Sequence, residues 1–490
     1  MKKYLYLFSL LLLWACGAQS PQEEDTPPNV LLIIGDDHGY ADLGSAKLAD
    51  DVSTPNFDRL AQSGMHFQNA YATSPICSPS RVGLLTGAYH QRQKVFWYGG
   101  GGISDPAIPT IAELLLQNGY ATGYFGKFHY GSKDTDTAHR SFPLNHGFQE
   151  LYGCNGGRKH YLIHNNEKEA AFQTKMAKAP KPKQSLRMEG FWNQKQRENI
   201  EGFSTEIIAQ KGIDFMKRQI DAQQAFFATV SFNAVHNFTH QLPKEYLEEH
   251  QLEGYHDWDP DKETYYDWYQ KGRKPNNPEG RAHYLGQLHY LDRELGRLLD
   301  FLEEADQLEN TLIVYIGDNG GSTQIYANNS PFKGGKYTMY EGGLRVPLMI
   351  SWQGKYAKNQ VSKNLVSALD VLPTICEATA TPLPKLFDGL SLHSLLNGSN
   401  PAIQHEDLFW WGGEQASVRS GDWKYRWAND SDSSFARSST AYEGVSLELG
   451  QFLYQLETPS PEVEDVKEQH PEILEKMEAK LDKWKEEVGI

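Results

Sequence analysis

Two stretches of the chain are apolar at every position and then stop abruptly on acidic or amide residues. Asn29-Val-Leu-Leu-Ile-Ile34 runs into Gly35-Asp36-Asp37-His38-Gly39, and Thr311-Leu-Ile-Val-Tyr-Ile316 runs into Gly317-Asp318-Asn319-Gly320. A continuous aliphatic run of this length predicts a strand buried on both faces, as in a parallel sheet. Between the two runs, helix-like and strand-like patterns alternate. Thr54-Pro55 opens a helix with a capping threonine and a proline at the first position. Thr110 to Asn118 is amphipathic and stops at Gly119, and Tyr120 to Phe125 then reads as a strand. Phe203 to Lys217 predicts a helix, Ala225 to Phe232 a buried strand, and Tyr284 to Leu302 a long amphipathic helix directly before the Thr311 run. Strand, helix, strand in repeated order predicts an α/β fold, a large mixed and mostly parallel sheet sandwiched by helices.

Beyond Ile375 the texture changes. Pro382-Leu-Pro384 marks a linker, and short strands follow at Gln415–Arg419, Trp423–Trp427 and Phe452–Leu456 before a Lys/Glu-rich amphipathic helix from Pro471 to Glu487. The expected division is a main domain over 29–375 and a smaller C-terminal α+β subdomain over 376–490, with a small antiparallel sheet and a terminal helix. The other end carries an address. Met1-Lys-Lys and the apolar Tyr4 to Trp14 form a signal-peptide pattern too short to span a bilayer. Leu13-Trp14-Ala15-Cys16-Gly17 resembles a bacterial lipobox, so 1–16 is expected to be a lipoprotein signal with Cys16 lipidated, and 17–28 a polar tether. Cleavage after a small residue by the ordinary signal peptidase is the other route. The expected location is the periplasm or cell surface of a Gram-negative bacterium, anchored to the outer or inner membrane.

Composition adds little except by exclusion. With 47 Lys and Arg against 63 Asp and Glu, the formal net charge of the 490-residue chain is −16, which argues against nucleic acid as a partner but not against an anionic ligand in a locally basic site. Of four cysteines, Cys16 belongs to the signal and Cys77 to a motif, leaving Cys154 and Cys376, which nothing in the sequence requires to pair. Lys175 to Lys183 reads as an exposed loop.

The candidate chemistry lies at strand ends and in loops. Asp36, Asp37, Asp318 and Asn319 would converge where an open α/β sheet places its ligand, at the carboxyl ends of its strands. Their oxygens suit a hard divalent cation, calcium before zinc. Ser74-Pro-Ile-Cys77-Ser-Pro79-Ser-Arg81 leads into Val82-Gly-Leu-Leu-Thr86-Gly87, which places Cys77 near a helix N-terminus with Arg81 one turn on. Gly126-Lys127-Phe128-His129 ends a strand, His236 and His240 follow another, and Lys333 to Pro347 contains two glycine pairs that suggest close backbone packing. Singly, each of these residues is more ordinary as a turn, a satisfied histidine or a snorkelling lysine than as a site.

Together they resemble the formylglycine-dependent sulfatases of the alkaline-phosphatase superfamily. Cys77-x-Pro79-x-Arg81 before Leu-Thr-Gly resembles the family signature, Gly126-Lys-Phe-His129 its Gly-Lys-Trp-His element, and Tyr340-Glu-Gly-Gly-Leu-Arg-Val-Pro347 a further landmark. The likeness runs from about Pro28 to Trp484. It implies an alkaline-phosphatase-like fold and hydrolysis of sulfate esters on a carbohydrate. It implies that a formylglycine-generating maturase converts Cys77 to formylglycine (3-oxoalanine), whose hydrate is the nucleophile. Asp36, Asp37, Asp318, Asn319 and the modified Cys77 would hold one calcium ion. Arg81 would stabilise the hydrate, Lys127 and Lys336 would grip sulfate oxygens, His129 would act as base when the aldehyde is regenerated, and His236 with Lys336 would protonate the leaving alcohol. The family's His-x-Pro pattern is only half present at His236, which leaves His240 as competitor for that role. Aromatic stretches at Phe96-Trp97-Tyr98 and Trp258 to Trp268 suit sugar stacking and equally suit core or lid packing. Two other readings stand beside this one: a phosphate or phosphonate monoester hydrolase of the same superfamily, and a catalytically silent lipoprotein that binds sulfated glycans.

Overall fold

The structure is a computed structural model, and it describes residues 27–98, 100–130, 137–156, 161–178, 190–268, 279–429, 437–438, 444 and 446–490. The expected signal, the lipid site Cys16 and nearly all of the tether lie outside these residues. So does most of the Lys175 to Lys183 patch, whose first two residues end a helix, Asn166–Met176.

The strand Asn29–Gly35 sits near the middle of a ten-stranded sheet because every one of its residues is buried. Its side chains alternate between two cores: Leu31 and Ile33 enter one, Val30, Leu32 and Ile34 the other. Thr311–Gly317 flanks it in parallel on one side and Phe226–Ser231 on the other. Ala121–Lys127 and Glu150–Cys154 extend the parallel run beyond Phe226–Ser231. Beyond this parallel run the pairing turns antiparallel, Leu348–Ser351 beside Thr311–Gly317 and Phe191–Asn193 beside Glu150–Cys154. The helices Pro55–Ser63, Ser204–Asp221 and Gly280–Glu304 cover the first core, and Cys77–Thr86, Ile111–Gln117 and Val371–Ala378 the second. This is the expected mixed, mostly parallel sheet between helical layers.

Local chemistry fixes the helix ends. Thr110 accepts from the Glu113 amide while Glu113 reaches back to the Thr110 amide, a reciprocal cap that satisfies two otherwise unpaired donors.

The C-terminal sheet has four antiparallel strands, Asp407–Trp411, Gln415–Ser420, Trp423–Ala428 and Gly450–Gln455. The helix Pro471–Val488 packs on it through Met477, Leu481, Trp484 and Val488. The division expected at Ile375 falls inside the helix Val371–Ala378, whose Val371, Leu372, Ile375 and Cys376 all belong to the main core. Leu392, Leu395 and Leu396 join that core too, so the change of layer comes only at Asp407. Cys154 and Cys376 are buried in separate clusters with no disulfide between them. No helix among the described residues is long and apolar enough to cross a membrane.

Candidate active site

Four adjacent parallel strands end on polar residues at the same edge of the sheet. Asp36 and Asp37 follow Asn29–Gly35, Asp318 and Asn319 follow Thr311–Gly317, Ser231 ends Phe226–Ser231, and Lys127 ends Ala121–Lys127. The register pairs Gly35 with Gly317 and Ser231 with Gly126, so these groups arrive level with one another. Gly126 is required there: its φ is +109°, and a Cβ would lie 1.8 Å from the Ser231 carbonyl oxygen.

The helix Cys77–Thr86 lies against this edge with all ten residues buried, and Cys77 is its first residue. Arg81, one turn on, shares the face of Cys77. Its Nε donates to Asp318 Oδ2 at 2.8 Å, and its Nη1 donates to the Lys127 carbonyl and to Ser231 Oγ, both at 2.7 Å. The Cys77 thiol points at Asp36 Oδ1 at 3.6 Å. Lys127 Nζ pairs with Asp36 Oδ2, and Lys336 Nζ with Asp37 Oδ2 at 2.7 Å. His236 Nε2 is 3.5 Å from the same Asp37 oxygen. Asn319 Nδ2 donates to Asp37 Oδ1 at 2.8 Å, whereas its Oδ1 is buried with no hydrogen-bond partner.

All expected site residues are buried here. Ligand atoms of Asp36, Asp37, Cys77 and His236 lie within 4.8 Å of one another. Asp318 stands beside them, accepting from the Asp37 amide at 3.2 Å. His240 is elsewhere, packed against Tyr255 with ring centroids 5.5 Å apart. His129 follows Lys127 at the same strand end with φ +42°. Sequence reasoning missed Ser231 and Asn329. Asn329 brackets Gly321 through its side chain, accepting from its amide and donating to its carbonyl, and so helps seat the Lys336 loop. A lone serine or asparagine carries no pattern, so neither leaves a signal. Of the two readings open for the Trp258 to Trp268 stretch, packing holds. Trp258, Tyr265 and Trp268 are buried in the main core, which removes them as a sugar platform.

Burial sets the electrostatics. It pushes the Asp36 carboxyl up to about 7, against the pull of Lys127 and, more weakly, Arg81, with Asp318 and Asp37 adding repulsion. Burial also raises Asp318, but Arg81, Lys127 and Lys336 outweigh it and hold that carboxyl below its usual range. The Cys77 thiol is pushed up to about 12 by burial despite Lys127 and Lys336. A thiol in this state is protonated at neutral pH and is a poor nucleophile.

Carboxylates that cannot all stay charged alone face three cations that can hold an oxyanion. That pairing suits a ligand that carries an anionic group beside a cation. Comparison with known proteins gives the class. The sulfatase family profile matches residues 28–381. N-acetylgalactosamine-6-sulfatase of Canis lupus familiaris is 28% identical over 453 residues, covering 86% of this chain and 76% of that protein. A sulfatase of Formosa agariphila is 28% identical over 543 residues, covering 99% and 94%. The crystal structure of Ps i-CgsB in complex with k-i-k-neocarrahexaose superposes with a TM-score of 0.74 at 26% identity, covering 94% of this chain and 92% of that one. The chain belongs to the sulfatase family and is a sulfuric ester hydrolase.

Proposed function

We propose that the protein hydrolyses sulfate esters on a carbohydrate, with Cys77 converted to formylglycine by a maturase and one calcium ion held by Asp36, Asp37, Asp318 and Asn319. The observation that carries this reading is the buried, unpartnered Asn319 Oδ1 beside three buried carboxylates. Hard oxygen donors in this number fit calcium. Charge supports the fit: Asp36, Asp37 and Asp318 balance Arg81, Lys127 and Lys336, so an added divalent ion leaves the site positive toward a sulfate ester. The protonated thiol of Cys77 supports modification, because the unmodified side chain is not activated. When present, the aldehyde hydrate supplies the attacking hydroxyl and the second hydroxyl that releases sulfate, and calcium supplies Lewis acidity.

The chain's own residues do the rest. Arg81, held on three sides, fixes the orientation of residue 77 one turn away. Lys127 and Lys336 neutralise sulfate oxygens as charge develops. His236, its Nε2 beside Asp37, delivers a proton to the leaving alcohol together with Lys336, and His129 takes up a proton as sulfate departs. The carbohydrate is supported by the named relatives and by an aromatic cluster beside Lys336. The Trp97 ring centroid lies 4.7 Å from that of Tyr98 and 5.8 Å from that of Tyr337, the residue next to Lys336, with both pairs tilted by 36°. A zinc phosphatase draws on more histidine ligands, and among the described residues only His236 joins the acidic cluster.

The test is release of inorganic sulfate from a panel of sulfated sugars, including N-acetylgalactosamine 6-sulfate and carrageenan oligosaccharides. Release that is abolished by Cys77→Ala, lost on chelation and restored by calcium is the expected result. Release of phosphate from phosphate monoesters with none of sulfate would overturn the reading. Export as a lipoprotein anchored through Cys16 is part of the same proposal. Incorporation of a labelled fatty acid in the producing bacterium, lost in Cys16→Ser, is the expected outcome, and equal labelling of both proteins would refute it.

A further inference from the structure

The loop that carries Lys336 is fastened from outside the main domain. It closes on itself where the Gly342 amide donates to the Lys333 carbonyl at 2.9 Å. Its tip docks into the site through the Lys336 amide on the Gly321 carbonyl at 3.2 Å and the Tyr337 amide on the Pro75 carbonyl at 2.9 Å. Both stems run instead to the C-terminal subdomain. Lys333 Nζ and Tyr340 Oη meet Glu448 Oε2 at 2.8 and 2.9 Å, and the Arg426 guanidinium lies 4.4 Å from the Tyr340 ring centre. On the far side Lys424 Nζ bridges Glu341 Oε1 at 2.9 Å and Glu462 Oε1 at 2.8 Å. Glu462 Oε2 accepts the Glu341 amide at 2.6 Å, and Arg345 Nε donates to Glu341 Oε2 at 2.6 Å.

Lys424, Glu341 and Glu462 are at most 2% exposed. Burial raises Glu341, yet Lys424 and Arg345 outweigh it and keep the carboxylate charged. Taking such ions out of water costs several kcal/mol each, and an apolar cluster of the same volume would be about as stable. What the ions add is direction: each bond fixes where the loop's stem sits.

We propose that the C-terminal sheet is part of the catalytic apparatus. Lys424 and Glu462 clamp the Glu341 stem of the Lys333–Gly342 loop and Glu448 joins both stems through Lys333 and Tyr340, so Lys424 is a positioning residue that holds Lys336 against Asp37. The catalytic consequence rests on the proposed role of Lys336, whereas the clamp is readable without turnover.

The experiment is amide hydrogen exchange on the full chain, comparing wild type, Lys424→Met and Glu448→Gln. Exchange in the peptide spanning residues 333–344 is expected to rise about tenfold or more in Lys424→Met, and less in Glu448→Gln, with the Asn29 and Thr311 strands unchanged. In parallel, kcat on a sugar sulfate is expected to fall about tenfold further than kcat on 4-nitrophenyl sulfate, because the better leaving group needs less protonation. Loop exchange equal to wild type would overturn the clamp. So would a uniform rise across all strands, which is the mark of global destabilisation alone. If Lys424→Met does not fold, Glu448→Gln, altered at a half-exposed side chain, decides on the same readout. A wild-type protein that releases sulfate from neither substrate counts against the proposed function, and exchange still decides the clamp.

Discussion

Arg81 donates to Asp318, to Ser231 and to the Lys127 carbonyl, so one guanidinium ties three strand ends to the helix that begins at Cys77. Lysine has no fork to make those bonds. Arg81→Lys is therefore expected to keep the fold and lower kcat about a hundredfold or more, as measured by sulfate release with calcium saturating. Ser231→Ala removes one of the partners on Nη1 and is expected to cost about 1–2 kcal/mol in urea unfolding. Lys336→Ala withdraws a cation from the ester and is expected to lower kcat by about 10²–10³. Equal kcat in Lys336→Ala and wild type would remove Lys336 from the chemistry. Much of this residue set was legible because the chemistry sits at strand ends: two apolar runs stop on Asp36-Asp37 and on Asp318-Asn319. What was not legible is pairing across the sheet. Ser231 has its role only because Phe226–Ser231 lies between the strands that present Asp36 and Lys127.

At the scale of elements, the long buried strands and capped helices read directly from the pattern, whereas the marginal strands did not. Met65–Phe67, Leu348–Ser351 and Gln360–Ser362 are three or four residues long and exist as strands because the sheet edge offers partners. Such segments hold too few residues to show a period. The Trp258 to Trp268 stretch stayed open between stacking and packing for a related reason, since aromatic composition does not say which face is covered. Gly126 marks where a strand end cannot change. Gly126→Ala places a Cβ on the Ser231 carbonyl at positive φ, so it is expected to destabilise by more than about 1 kcal/mol and to lower activity with it. Thermal unfolding and sulfate release on the same sample check both.

For the whole molecule, buried histidines set the response to acid. Burial holds His66 and His90 down to about 4, and burial with Arg140 nearby holds His146 down to about 3. In the unfolded chain these rings take a proton near pH 6.5, so their contribution is complete above that value and lost as pH falls toward about 4. Stability is expected to drop steeply between about pH 6.5 and 4, because every tenfold weakening of a ring's proton affinity on folding is worth about 1.4 kcal/mol. His146→Phe, in a site already lined by Tyr130 and Phe148, is expected to flatten that slope in thermal unfolding followed across pH. The two layers also depend on each other, because the C-terminal sheet grips the loop of Lys336 through buried ions that no sequence period reveals.

Everything at the site turns on whether Cys77 becomes the nucleophile by modification. The most direct test is the mass of the peptide carrying Cys77, from protein made in a host that has the maturase and shown on the same sample to release sulfate. A loss of about 18 Da against the unmodified peptide is the expected result, the change from thiol to aldehyde. An intact thiol in protein that releases sulfate at full rate would contradict the account.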